Sequence, residues 1–266
     1  MTKNADIPLL DFRNITVIKD GRIVLDDISL FVGADENIAI IGPNGSGKSS
    51  LIKVMTREYY PVADVPGLRM DIMGEEMWNI FDLQKQLGII TTDLQNTCLR
   101  DSTVFEIVIS GYFSSIGIYD NFFDVAIEMK AMANEILKFL GIHHLKHQKM
   151  TKISSGEARK ALIARVLVHD PKALVLDEPT NSLDMKAIDQ FRKTVSSVAK
   201  AGKNIILVTH DLSDIIPEIK RVILIKDGKI FADGKKEDIL TTETLTALFD
   251  IPVTVQKSGE YYAAFC

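Results

Sequence analysis

The stretch Gly42-Pro43-Asn44-Gly45-Ser46-Gly47-Lys48-Ser49-Ser50 decides how this chain is read. It has the G-x-x-x-x-G-K-S spacing of a phosphate loop. Residues 37–41 (NIAII) ahead of it form the apolar run of a short buried strand, and residues 49–56 behind it read as a helix. The glycines let successive backbone N–H groups turn inward around an anion, and the helix N-terminus adds partial positive charge. Lys48 falls in the first helical turn, where the helix dipole disfavours a cation. That placement makes sense with a polyphosphate between the two, Ser49 offering its hydroxyl to Mg²⁺. The competing interpretation is a glycine-rich strand-to-helix turn without a ligand. The strand–loop–helix setting favours a nucleoside triphosphate.

Composition narrows the class. At 266 residues the chain can hold one large domain or two small ones, and 46% apolar with 25% charged residues is ordinary for a soluble globular protein. A net charge of −5 argues against a dedicated nucleic-acid binder. No apolar run approaches the roughly 20 residues that cross a bilayer, and residues 1–6 (MTKNAD) lack a signal-peptide core. The two cysteines, Cys98 and Cys266, show no metal-ligand spacing, which suggests reduced thiols and a cytoplasmic chain. Any work at a membrane then falls to a partner.

Residues 9–17 and 23–32 alternate as strands around a turn at Asp20-Gly21, a hairpin signal. Residues 87–90 are a further strand candidate. Residues 124–140 carry apolar side chains at a helical period and stop at Gly141, and residues 156–168 form a second helical stretch ending before Asp170-Pro171. Residues 173–177 and 204–209 are apolar runs of strand length without alternation, as expected of parallel strands covered on both faces, with a helix over 185–201 as the crossover. A late hairpin turns at Asp227-Gly228, and residues 251–266 read as two short strands around Ser258-Gly259.

The chemistry gathers at few places. Asp177-Glu178 ends the apolar run over 173–176; an aspartate leaving a buried strand can hold a magnesium shell while the next residue faces an attacking water. Taken alone, such a pair is as readily a solvated or helix-capping one. Upstream stands Ile153-Ser154-Ser155-Gly156-Glu157, then ARKALIAR over 158–165. Downstream stand Pro179-Thr180-Asn181-Ser182-Leu183-Asp184 and Val208-Thr209-His210-Asp211. In these residues the chain closely resembles the nucleotide-binding subunit of ATP-binding cassette (ABC) transporters, with five motifs in the family's order over nearly the whole length.

The resemblance implies roles residue by residue. Residues 42–50 bind ATP, joined by Ser154 and Gly156, which match the family's signature loop and close over nucleotide held by another cassette. Locally, Ser154 with Glu157 is also a capping box, and both uses are compatible. Glu178 matches the catalytic carboxylate, His210 the switch histidine at the γ-phosphate, and Lys48 the charge-balancing lysine; a lone strand-end histidine would more often be structural. Ser49, Gln95 and Asp177 are the expected Mg²⁺ contacts. Thr92 stands where counting from Gly88 places the family's glutamine, but the spacing of Gln95 to Thr103-Val104 selects Gln95. Asp184 matches a residue that crosses the dimer interface. The aromatic that stacks on adenine from the first hairpin is missing, with Val17 and Ile18 in its region, which loosens the preference for ATP over GTP.

The expected fold is α/β, a phosphate-loop NTPase core with a mainly parallel central sheet, an antiparallel N-terminal β layer and a helical subdomain. Its expected division is a core over 1–92 and 153–250, a helical segment over 93–152 and a β tail over 251–266. The implied function is ATP hydrolysis powering a membrane transporter, through head-to-tail pairing with a second cassette (a homodimer) and an integral-membrane permease, at the cytoplasmic face and without nucleic acid. The pattern is closest to ATPases of the molybdate or iron-complex importer type. The alternative is a soluble ABC ATPase acting on ribosomes or another macromolecule; the single cassette, the acidic charge and the lack of a coiled-coil insertion weigh against it. No residue names the cargo.

Overall fold

A computed structural model of the chain describes residues 7–99, 101–115 and 125–266. In chain order its strands are β1 (Leu10–Lys19), β2 (Arg22–Val32), β3 (Ile38–Ile41), β4 (Arg69–Ile72), β5 (Leu87–Ile90), β6 (Ala173–Asp177), β7 (Asn204–Thr209), β8 (Arg221–Lys226), β9 (Lys229–Lys235), β10 (Thr254–Ser258) and β11 (Tyr261–Phe265). The helices are α1 (Lys48–Met55), α2 (Ile80–Gln86), α3 (Thr92–Cys98), α4 (Val104–Ser110), α5 (Ile127–Phe139), α6 (Ser155–Leu167), α7 (Met185–Lys200), α8 (Lys236–Ile239) and α9 (Thr242–Phe249). The described residues fall into two compact units, one from Met1–Leu83 with Asn204–Cys266 and one from Gln84–Lys203.

In the first unit β1 and β2 form the expected hairpin. Lys19 pairs with Arg22 across Asp20 and Gly21, whose φ angles of 49° and 74° suit a two-residue turn of right-twisted strands. β4 joins the free side of β1 with Leu10 opposite Ile72, completing the antiparallel layer β2-β1-β4. β4 went unread in the sequence because four residues, two of them charged, give no periodicity. β3 lies between β7 and β8 and runs parallel to both. All four residues of β3 are fully buried, as are Ile205, Ile206 and Val208 of β7 and residues 222–225 of β8. Each such Ile, Val or Leu stabilises the fold by roughly 1.5–3 kcal/mol. That is the physical content of the missing alternation: neither face meets water. β9 folds back antiparallel on β8 through Asp227-Gly228. The tail hairpin pairs Ser258 with Tyr261, so its turn is Gly259-Glu260, one residue later than the sequence suggested.

In the second unit β5 and β6 are parallel, Leu87 opposite Ala173. The β3·β7, β3·β8 and β5·β6 pairs are parallel, as expected for the core sheet of an α/β protein, while the N-terminal layer is antiparallel. α4 packs against α5 and α6, and Val104, Ile107, Val108, Ala133, Leu137, Ala161 and Ala164 of the three helices are all fully buried. Two of these helices begin with reciprocal caps, Thr103 with Glu106 on α4 and Ser154 with Glu157 on α6. α5 occupies the middle of the expected helix over 124–140; Asp124, where that expectation starts, lies outside the described residues.

Candidate nucleotide site

The phosphate loop is fixed from beneath. A Cβ on Gly42 would sit 2.2 Å from the Ile225 carbonyl oxygen and 2.6 Å from Ser46 Oγ, so no side chain fits where the chain leaves β3. Gly47 has φ 111°, and a Cβ there would stand 2.9 Å from the Val24 carbonyl oxygen. The Gly228 N–H donates to the Ser46 carbonyl (2.9 Å), while the Gly228 carbonyl accepts from the Asp26 N–H (2.8 Å).

The loop's open side carries unspent donors. Helix α1 begins at Lys48, one residue earlier than expected, and no side chain caps its first turn. The Ser46 hydroxyl is buried without a hydrogen-bond partner. Lys48 Nζ donates to the carbonyl oxygens of Gly42 (2.7 Å) and Pro43 (3.1 Å), so the ammonium folds back over the loop. A buried cation resting on peptide carbonyls, an orphan hydroxyl and an uncapped helix N-terminus together fit an anion. Ser49 is exposed and Ser50 half-buried, while Pro43, Asn44 and Gly45 shape the outer turn.

His210 belongs to the same unit. Thr209 ends β7 opposite Ile41, so Gly42 and His210 leave neighbouring parallel strands side by side. The fully buried Thr209 hydroxyl donates to Asp214 (2.8 Å) and accepts from the Asp211 N–H (3.0 Å). Asp211 in turn accepts from the Ser213 N–H (2.8 Å). This turn holds His210 exposed.

The second unit carries the other expected residues. Asp177 ends β6 and Glu178 follows with φ 46°, a left-handed conformation uncommon outside glycine and asparagine. Ile90 opposes Leu176, so the segment carrying Gln95 leaves β5 at the strand end where Asp177-Glu178 leaves β6. The loop after Glu178 closes on itself, the Asn181 N–H donating to the Glu178 carbonyl (3.3 Å). It ends where the Asp184 carboxylate caps α7 by accepting from the Ala187 N–H (2.7 Å).

Gln95 lies on α3, which starts at the cap Thr91 and was not legible as a helix. The side chain is 5% exposed and its amide nitrogen has no partner, whereas Thr92 is exposed. Ser154 and Ser155 are exposed at the start of α6. Glu157 accepts from the Ser154 N–H (2.8 Å) and hydroxyl (2.7 Å), and these bonds, hydroxyl first, hold its carboxyl below the usual glutamate range. Gly156 packs closely on α7, where a Cβ would meet Ala187 at 3.1 Å.

One cavity of about 500 Å³ within this unit brings several of these segments together. Gln95, Leu99, Met150, Ile153, Ser155 and Asn181 line it. Arg159 lines it too and was not singled out in the sequence. Its Nη2 donates to the Asn181 carbonyl (3.0 Å), Nη1 is buried without a partner, and burial pushes the guanidinium down to about 10. The only sequence signal was a cation at the fifth residue of a helix.

Among the described residues no cluster of three His, Cys, Asp or Glu could hold a metal by itself. By residue type, the hydroxyl of Ser49, the carboxylate of Asp177 and the amide oxygen of Gln95 are each hard-oxygen donors of the kind that suits Mg²⁺ bound mainly through phosphates. An aromatic does stand beside the first hairpin. The Tyr59 ring, from the chain after α1, lies 5.7 Å from the Lys19 ammonium and 5.2 Å from that of Lys53.

A parallel-sheet α/β protein with such a loop at the end of a buried strand is a phosphate-loop nucleotide-binding protein. Residues 25–181 match the ABC transporter family. The chain is 31% identical over 252 residues to the uncharacterised ABC transporter ATP-binding protein YlmA of Bacillus subtilis, covering 93% of both. It is 30% identical to the hemin import ATP-binding protein HmuV of Bradyrhizobium diazoefficiens, covering 94% of this chain and 91% of that one. Among solved structures it resembles cbiO1 from Clostridium perfringens, part of the ABC transporter complex cbiONQ (27% identity, TM-score 0.76, 90% and 93% covered). It also resembles the ADP conformation of the cassette MJ1267 (25% identity, TM-score 0.75, 91% and 95% covered). The chain belongs to the ABC transporter ATP-binding family, whose cassettes bind and hydrolyse ATP to power transport.

Proposed function

We propose that this cassette drives an importer-type ABC transporter, pairing head to tail with a second copy around two Mg·ATP and docking on an integral-membrane permease. The observation that carries the pairing is the exposure of the signature loop. Ser154 and Ser155 open α6 at the surface with their cap already formed, available to a neighbouring molecule. Among the described residues no helix is long and apolar enough to cross a membrane, so a membrane role requires a permease. The cavity beside Gln95, with the unpartnered Nη1 of Arg159, supports docking there. Import, and a metal-complex cargo, follow the hemin import of the relative HmuV.

In this reading residues 42–50 hold the triphosphate: the N–H groups of the α1 N-terminus and the Ser46 hydroxyl meet phosphate oxygens, and Lys48 exchanges its carbonyl partners for them. Ser49, Gln95 and Asp177 would hold Mg²⁺, which when bound would offset phosphate charge. Glu178 orients the attacking water and accepts its proton, and His210 contacts the γ-phosphate. Ser154 and Gly156 of the second copy close over the same nucleotide, so ATP stabilises the pair through its differential affinity and hydrolysis releases it.

The test is sedimentation of Glu178→Gln with Mg·ATP. A stable dimer is expected, and it should be abolished by Ser154→Arg with nucleotide binding intact. A monomer at full nucleotide occupancy would overturn the pairing. Recovery of the tagged protein with a polytopic membrane protein supports the transport role; recovery with ribosomes would overturn it.

A further inference from the structure

In the first unit the tail hairpin leaves a second cationic recess that the nucleotide site does not use. A cavity of about 290 Å³ is lined by Lys220, Lys235, Lys236 and Lys257, with Glu237 and Glu260 as its acidic groups. Lys236 is only 6% exposed, and no carboxylate forms a close ion pair with it, Glu260 and Glu237 acting on it only at longer range; its ammonium lies 5.9 Å from the centre of the Tyr262 ring. Burial, then the neighbouring Lys220, hold Lys236 below the usual lysine range. The two are brought together by the backbone, since the Lys236 N–H donates to the Lys220 carbonyl (2.8 Å). Lys257 reaches the same ring from β10 (5.5 Å), and Glu237 engages it at a loose 3.6 Å. The four lysines outnumber the two carboxylates, and Glu260 and Glu237 only partly offset the cost of converging like charges on a largely buried lysine side chain, a cost that a bound anion would relieve.

The recess is separate from the phosphate loop. Lys235 pairs with Arg221 at the start of β8, while Leu224, opposite Ile41 at the loop, lies three residues further on, roughly 10 Å along the strand.

We propose that Lys220, Lys235, Lys236 and Lys257 form a second anion site for a doubly charged phosphate-type oxyanion, free or on a phosphomonoester headgroup. Lys236 is its floor, and Lys220, Lys235 and Lys257, all exposed, form its rim. The oxyanion accepts from the ammonium groups, while the Tyr262 ring beneath keeps Lys236 and Lys257 converged.

The test titrates inorganic phosphate into the full chain by calorimetry at constant ionic strength, with the phosphate loop filled by Mg·ADP. One saturable site per chain is expected, competed by sulfate but not by chloride. Lys236→Met should weaken it by about tenfold, and Lys220→Met or Lys257→Met by about threefold each, while Lys130→Met on α5 should leave it unchanged. The rim variants keep the test valid if Lys236→Met does not fold. Sedimentation with phosphatidylcholine vesicles carrying phosphatidic acid, against phosphatidylcholine alone, identifies the source. Lysine-dependent vesicle binding assigns a headgroup, and binding of free phosphate alone assigns a soluble anion. Absence of both, or binding that is the same in the lysine variants, overturns the proposal.

Discussion

The Gly228 N–H reaches across to the Ser46 carbonyl at 2.9 Å, so the turn of a late hairpin holds the phosphate loop from below. Gly228 has φ 75°, and a Cβ there would stand 3.0 Å from the Val24 carbonyl oxygen. Gly228→Ala should therefore cost about 1–2 kcal/mol of stability and loosen ATP binding through Ser46 without touching ATP. Denaturant unfolding and nucleotide titration of the variant check both effects. An unchanged ATP affinity would separate the turn from the loop.

Gly42→Ala is the harsher change. Its methyl group would meet Ile225 and Ser46 at distances no carbon occupies, and both lie on rigid backbone or a packed loop. Loss of about 2 kcal/mol or more is expected, with ATP binding reduced by more than about tenfold. Thermal unfolding with and without Mg·ATP reads both, since the nucleotide-induced rise in Tm should vanish.

Glu178 combines a proposed role in turnover with a left-handed backbone. Glu178→Gly relieves a conformation that costs a side-chain-bearing residue about 1 kcal/mol. The variant should unfold at the same temperature as wild type or higher while its steady-state ATPase falls by more than about a hundredfold. A lower Tm would mean that the side chain's contacts outweigh the backbone strain.

The Ser154–Glu157 box gives α6 a small pH dependence. Because the folded carboxyl titrates below its usual range, its stabilisation is present above the unfolded value of about 4.3 and is lost as pH falls through the folded one. Allowing for its solvent exposure, the contribution stays under about 1 kcal/mol. Urea melts from about pH 5 to about pH 3 should show the slope shrinking in Glu157→Gln relative to wild type.

Arg221 ties three segments together, donating to Asp233 through two nitrogens (2.7 and 2.6 Å), to Glu36 (3.0 Å) and to the Phe31 carbonyl (2.8 Å). These carboxylates hold it above the usual arginine range, Asp233 first. Lysine cannot reproduce that fork, so Arg221→Lys should lose about 1–3 kcal/mol in equilibrium unfolding.

The strands around the loop were legible because burial on both faces leaves unbroken apolar runs, as in residues 38–41 and 204–209. The individual expected site residues were legible as motifs. α3 was not, because a seven-residue helix with two buried side chains has no readable period. Arg159 was missed for a different reason: its importance lies in a guanidinium nitrogen that burial leaves unmatched, and sequence does not report burial. The tie between Gly228 and Ser46 joins residues far apart in the chain, and the turn residues announced only their own hairpin.

The posture of Lys48 over its own peptide oxygens has a consequence for selectivity. The resting cation is already solvated by the chain, so an incoming molecule gains from it only by displacing two carbonyl dipoles. A lone monoanion offers little more than those dipoles do. A run of linked, multiply charged phosphates offers much more, and the loop thereby filters visitors by how much negative charge they bring in a row.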